Sequence, residues 1–565
     1  MLQISPKDHN ASSSIMCLER MGSRYPSRLS FSRSMLRTMV KEKWGVQIIK
    51  FDLDEQGHGL VIYEVEISKR IYSFACFSEY ITDRERSDRV IAEKWDTTFG
   101  LHIGKISAND IDRLKESIPL QEAGRNSPEE IVLCRANKSV RLFEKVVNCL
   151  SNGEQPDIHG INEVGYLLRT TAVYGSGKYG LSDFMRTKET TQFNQPFRAE
   201  MLSVYLVREF SIQLVEHIAF HRNPEKAVKL NSGIKQHLGI GNSTGLGMAP
   251  FIIKHPKLIH KWVDQFENAL DKIKQFKSIG IDFFEKYILL LLKAQTHLKE
   301  VRTTDGFQKE KNEQSYKDVK KIINHCKEIK KKSIAGFNWQ DLINFAEMNV
   351  CFDAQEIVKV QILELYPDVT DAIAEDMSIS DDLSIDTSST VSDLKEMIEN
   401  DYNWAINTDF KVKDNTYLFW YVSEEKLEPR LGERYNENGA ELEEPLDIGR
   451  IVYDLYQSIK NMNAQTFSLN IAEFLLLYPQ HRGIIRRIHT LANHKFGEVR
   501  DNIIAKTVLP INMLRFKLSF FGASRYDPKS DRWVRTSFFH GAPFYEDLNI
   551  DNVEEWGFAT MNSYL

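Results

Sequence analysis

Two short stretches hold seven of the chain's 29 glycines: Tyr174-Gly175-Ser176-Gly177-Lys178-Tyr179-Gly180 and Gly239-Ile240-Gly241-Asn242-Ser243-Thr244-Gly245-Leu246-Gly247. Glycine reaches positive φ at little cost and lets a ligand approach backbone N–H groups closely, so each stretch reads as a turn suited to an anion. In the first, Gly175 and Gly177 bracket Ser176, Lys178 adds a cation, and Arg169 lies just upstream. It is not a nucleotide P-loop, because Lys178 is followed by Tyr179 and the upstream glycine is too near. The spacing formally satisfies G-x-G-x-x-G, but residues 165–173 read as helix where a dinucleotide fingerprint needs a strand. The second stretch offers Asn242, Ser243 and Thr244, and Pro250 marks the first turn of a following helix whose N-terminus favours negative charge.

Between the two stretches, residues 197–220 are apolar all round a helical wheel, which marks a buried helix. On it Arg198, Tyr205, Glu209 and Glu216 fall within about 40° of one another, with Arg208 on a flank. Buried charges must be paired or used. In the catalytic reading, Glu209 or Glu216 is a base whose pKa burial raises. Tyr174, Lys178 and Tyr205 exchange protons, and Arg169, Arg198 and Arg208 clamp the substrate. The glycine stretches, with Asn242, Ser243 and Thr244, hold a carboxylate or phosphate. Proton abstraction with elimination or isomerisation, a lyase-like or isomerase-like reaction, is the chemistry such a set supports. The same charges also fit an internal ion network that fixes packing. The rival function is a non-catalytic nucleotide- or effector-binding or protein-interaction module.

No cofactor is implied, and a Schiff base at Lys178 has no supporting feature. No metal site is expected either. His217 and His221 stand at i, i+4, but Glu216 precedes the first histidine, so H-E-x-x-H is absent. Lys254, His255 and His260 follow the second stretch as further acid–base candidates.

The elements that position these residues give a fold class of mainly α with α+β flanking regions. Residues 1–40 read as a basic flexible N-terminus and leading helix, and 41–125 as a small α+β domain. Residues 126–367 read as a helical core carrying the site, 368–395 as an acidic, Ser-rich linker, and 396–565 as a C-terminal α+β domain. Period-two alternation over Ile49 to Cys76, broken by Glu55-Gln56-Gly57-His58-Gly59, predicts a three-stranded antiparallel meander. Helices are expected near 83–95, 108–116, 136–151, 160–172, 197–222, 256–278, 281–299, 313–332 and 354–365. Tyr526 to Arg532 reads as a turn.

A net charge of −6, from 73 basic and 79 acidic residues, argues against a nucleic-acid partner. The longest apolar run, Tyr287 to Leu292, is too short to span a bilayer, so no membrane partner is expected. Six scattered cysteines without a C-x-x-C pair suit free thiols in a reducing cytoplasm. The arginines and serines of the first forty residues superficially fit an organelle transit peptide, the lesser reading. The expected partner is a small anionic metabolite, and a homodimer is the base-rate assembly.

Overall fold

The computed structural model describes residues 12–82, 94–117, 127, 129–170, 192–244, 256–276, 279–375, 377, 384–412, 420–423, 429–431, 443–446, 448–498, 510–528 and 534–560. Among these, the strands in chain order are β1 (Gly45–Leu53), β2 (Gly59–Ile67), β3 (Arg70–Ser78), β4 (Thr97–Ile103), β5 (Glu130–Lys138), β6 (Tyr166–Thr170), β7 (Gly239–Thr244), β8 (Trp420–Ser423), β9 (Pro429–Leu431), β10 (Glu443–Leu446), β11 (Ala523–Pro528) and β12 (Val534–Phe538). The chain divides into two compact units. One comprises residues 25–244, 276–375 and 518–565, and the other residues 1–24, 245–275 and 376–517.

The first unit is built on a nine-stranded mixed sheet of order β1-β2-β3-β4-β5-β6-β7-β12-β11. Every neighbouring pair is antiparallel except β6 and β7, which run parallel with Tyr166 opposite Gly239 and Arg169 opposite Gly241. The protein is therefore helix-rich but organised around one large sheet, which makes it α/β. That sheet joins strands from regions the sequence reading assigned to a small domain, a helical core and a C-terminal domain.

The expected meander forms as β1–β3, with Asp54 at its first turn. The central helix, Arg198–Arg222, lies across β3 to β7 and is buried along most of its length, as its all-round apolarity requires. The helices expected at 136–151 and 160–172 each give way in part to a strand: helix Phe143–Ser151 follows β5, and helix Ile158–Val164 precedes β6. Strands covered on both faces carry continuous apolar runs without alternation, and such runs are easily read as helix. The helix expected at 83–95 lies largely outside the described residues.

The basic N-terminal region is not a frayed tail over its described part. Helix Phe31–Glu42 is capped by its own αL residue Lys43, and Arg28, Arg33 and Arg37 are buried. Arg33 pairs with Glu364, Arg37 Nε lies 2.7 Å from Asp371, and Arg28 Nε donates to Thr370 Oγ1 at 3.2 Å. Thr370 and Asp371 belong to helix Pro367–Ala374, so the start of the expected linker is ordered structure with Thr370 and Ile373 buried.

The second unit contains helices Pro256–Lys274, Val391–Asp401, Ile448–Lys460, Ile471–Leu477 and Arg482–Ala492, with the small sheet β10-β8-β9. Ile484, Ile485 and Ile488 face inward, and Arg487 reaches Glu498 through two 2.8 Å bonds, while the Tyr402 hydroxyl donates to the same carboxylate. Among the described residues no helix is long and apolar enough to cross a membrane.

Candidate functional site

The stretch Gly239–Thr244, expected as the start of a glycine turn, is strand β7. Its first two glycines serve packing. A Cβ at Gly241 would lie 2.4 Å from the Tyr166 ring, and one at Gly239 would lie 2.4 Å from the Phe538 carbonyl. Glycine is used here because a neighbouring ring and strand approach the backbone closely. Asn242 is buried in β7 and its carbonyl accepts from Thr536 Oγ1 at 2.8 Å. Ser243 and Thr244 pair through their backbones with Arg535 and Val534 of β12. Arg169, expected on a helix, is the fourth residue of β6 and pairs with Asn137 and Gly241. Tyr174, Gly175, Ser176, Gly177 and Lys178 lie outside the described residues, as do Gly245, Gly247, Lys254 and His255.

The polar stripe of the central helix does not form one site. Arg198 and Glu216 are eighteen residues apart, about 27 Å along the axis, farther than a small metabolite spans. Arg198 Nη2 donates to Thr38 Oγ1 at 2.9 Å, and burial lowers its pKa to about 10. Glu216 accepts from the Leu230 amide at 3.0 Å and pairs with Lys235 at 2.9 Å. Between them, Arg208 is fully buried and donates to the carbonyls of Leu238, Ala542 and Pro543 at 2.7, 2.7 and 3.2 Å. The Tyr205 hydroxyl donates to the Pro543 carbonyl at 2.8 Å, and the Arg208 guanidinium stacks 4.0 Å from the Phe544 ring centroid. These two side chains fasten the turn after β12 to the helix. Glu209 is buried beside them, and burial raises its carboxyl to about 8 against the pull of Arg208 and the Tyr545 amide.

The same end of the sheet carries a group that sequence reasoning missed. His237 precedes β7 and His540 follows β12, with ring centroids 5.5 Å apart and both side chains buried. The His540 ring nitrogens make no hydrogen bond among the described residues. Burial pushes His237 down to about 4 and His540 well below the usual imidazole range, with Arg525 opposing protonation of both. His297, stacked edge-on to Phe558, is likewise lowered to about 4 by burial. Single histidines scattered from 237 to 540 give no local signal.

Comparison of the chain with family models, curated proteins and solved structures gives no match. Two further arrangements bear on function. At the opposite, carboxyl end of β6 and β7, the register continues from Thr244 through Val534 to Pro528, so Asp527 and Arg535 stand as an opposed pair near the exits of both parallel strands. Asp527 is buried, and reading 526–532 as a turn had hidden it.

The second arrangement is a polar cleft of about 430 Å³ beside the β1–β2 turn, lined in part by Glu55, His58, Tyr80, Lys138, His221 and Arg222. Asp54 accepts from the amides of Gln56 and His58 at 2.9 and 2.8 Å, which holds its pKa below the usual range, and its other oxygen lies 3.3 Å from His58 Nδ1. A carboxylate on Nδ1 orients an imidazole for proton transfer through Nε2. His217 Nε2 lies 2.8 Å from the Asp54 carbonyl, so the expected His217–His221 pair serves this turn. Among the described residues no cluster of three or more His, Cys, Asp or Glu could hold a metal.

Proposed function

We propose that the protein is an enzyme that acts by acid–base chemistry on a small anionic metabolite, in the manner of a lyase or isomerase. The observation that supports this reading is the parallel pairing of β6 and β7. Parallel neighbours leave the sheet from the same end, so Thr170 and Thr244 close their strands at one edge of the sheet. In open α/β sheets, ligands bind outside the carboxyl ends of strands. This pairing supports reading the residues of the first glycine stretch with Asn242, Ser243 and Thr244 at the end of β7 as one anion site.

In this reading Gly175, Ser176, Gly177, Asn242, Ser243 and Thr244 bind the anion, Arg169 adds positive charge, and Tyr174 and Lys178 exchange protons. The base changes. Glu209, with Tyr205 and Arg208, lies toward the amino end of β7, about 17 Å of strand away from Thr244. Glu216 is engaged with Lys235. Asp527 takes over the role of carboxylate, and Arg198 and Arg208 become structural. The cytoplasmic location and homodimeric state expected from the sequence belong to the same proposal, and light scattering on the purified chain tests the second.

The functional test is a thermal-shift screen against small carboxylates, phosphates and nucleotides, followed by turnover of each hit. Lys178→Ala should abolish stabilisation by the hit, and Asp527→Asn should abolish turnover while leaving binding. A second reading rests on the Asp54–His58 pair: acid–base chemistry in the 430 Å³ cleft. It predicts the reverse pattern, with His58→Gln abolishing turnover and Lys178→Ala leaving it intact.

A further inference from the structure

The second unit carries a groove of about 470 Å³ between the segment that leads into helix Val391–Asp401 and helices Ile471–Leu477 and Arg482–Ala492. Ile385, Ala472, Leu475, Leu476 and Pro479 form an apolar floor, and Arg482 and Arg486 stand along one edge. The arginines are four apart on one helix, so their guanidinium stems are neighbours about 6 Å apart. Arg487, the next residue, is turned inward to Glu498, whereas neither Arg482 nor Arg486 makes an ion pair among the described residues. Nearby carboxylates are already engaged. Asp386 accepts from the Ser388 amide and hydroxyl, and Glu473 accepts from the Asn470 amide in a capping box.

The apolar surface continues past the groove. Leu476 is 84 % exposed and Leu477, the next residue, is 62 % exposed. Two adjacent leucines held in water on a seven-residue helix leave apolar area that a partner would remove from solvent. A small anion on the arginines would leave both leucines wet. A helical segment matches the whole pattern, because carboxylates one turn apart on its face meet Arg482 and Arg486 while an intervening aliphatic side chain enters the groove.

We propose that this groove is the docking site for an acidic amphipathic helix of a partner protein, with two carboxylates one turn apart flanking a leucine-like or phenylalanine-like anchor. The interaction is separate from the ligand site proposed at the sheet of the first unit.

The test is a selection of displayed random 14-residue peptides on the full-length protein, counter-selected on the Arg482→Glu/Arg486→Glu variant. Thermal unfolding first checks that the variant keeps its fold, which exposed Arg482 and half-buried Arg486 permit. Enriched peptides should carry paired acidic residues around an apolar anchor. Their affinity, read by fluorescence anisotropy, should fall at least tenfold in the double variant and in Leu476→Asp. Failure of any peptide to enrich, enrichment without acidic residues, or equal binding to the variants would overturn the proposal. So would a wild-type dimer dispersed by Leu476→Asp, which would make the groove a self-interface. Tighter peptide binding after deletion of residues 378–383 would overturn it too, because the chain's own acidic segment would then be the occupant.

Discussion

Replacing Glu209 by glutamine should stabilise the protein, and by an amount that grows with pH. The side chain is 4 % exposed, and its carboxyl is raised from 4.5 to about 8 chiefly by burial. In the unfolded chain the group loses its proton near 4.5, while in the folded protein it keeps the proton to about 8. Its contribution to stability is thus complete below the lower value and is lost as pH rises toward the upper one. Each pH unit is worth about 1.4 kcal/mol, so the loss accumulated by pH 7 is roughly 3 kcal/mol. Glutamine has the shape of the protonated acid and does not titrate.

The assay is urea unfolding of wild type and Glu209→Gln at pH 5, 6, 7 and 8, followed by both fluorescence and circular dichroism because two units need not unfold together. Near pH 5 the two proteins should agree within about 1 kcal/mol, and the variant's advantage should then grow by about 1.4 kcal/mol per pH unit up to pH 8. Histidine titrations are common to both proteins and cancel in the difference. A variant less stable than wild type by a constant 3–5 kcal/mol would refute the reasoning, because that is the signature of an ionised partner removed from a buried pair.

Three other perturbations follow from the same geometry. His237 and His297, lowered to about 4 by burial, contribute stability that is present above their unfolded value of 6.5 and lost as pH falls toward 4. Each should add about 1.4 kcal/mol per pH unit to acid destabilisation, and His297→Leu should flatten the stability profile between pH 4 and 6.5. Arg208→Met leaves the buried Leu238 and Ala542 carbonyls without their donor, Pro543 keeping the Tyr205 hydroxyl, and should cost at least about 2 kcal/mol in urea unfolding, with Arg208→Lys failing to restore it. Gly241→Ala should cost about 1–3 kcal/mol by forcing the Tyr166 ring aside, and Tyr166→Leu should relieve much of that cost in a double-mutant cycle.

Local patterns carried some elements and concealed others. The meander β1–β3 and the helix Arg198–Arg222 are legible because alternation and all-round apolarity are properties of the segment itself. Strands β4, β5 and β6 lie inside the sheet with most residues buried on both faces, and that environment erases the alternation that would mark them. In β7, glycine answers to the Tyr166 ring of another strand, a contact no local reading contains. Arg28, Arg33 and Arg37 read only as part of a basic N-terminus because Glu364 and Asp371, which neutralise them, lie more than three hundred residues away. The stripe from Arg198 to Glu216 shows a different failure. A helical wheel keeps angle and discards distance along the axis, so it gathered onto one face groups that serve three separate packing contacts. Asn242 and Arg169 were singled out on the wrong elements, yet the parallel register brings those elements together.

The most direct test of the ligand site proposed at the carboxyl ends of β6 and β7 is the thermal shift of wild type, Lys178→Ala and His58→Gln with each small anion at saturating concentration. A ligand at about 100 times its Kd contributes about 2.7 kcal/mol, enough for a clear rise in Tm. The expected result is a ligand that stabilises wild type and His58→Gln and leaves Lys178→Ala unmoved. Stabilisation of Lys178→Ala to the wild-type extent, or no ligand for any of the three proteins, would contradict it.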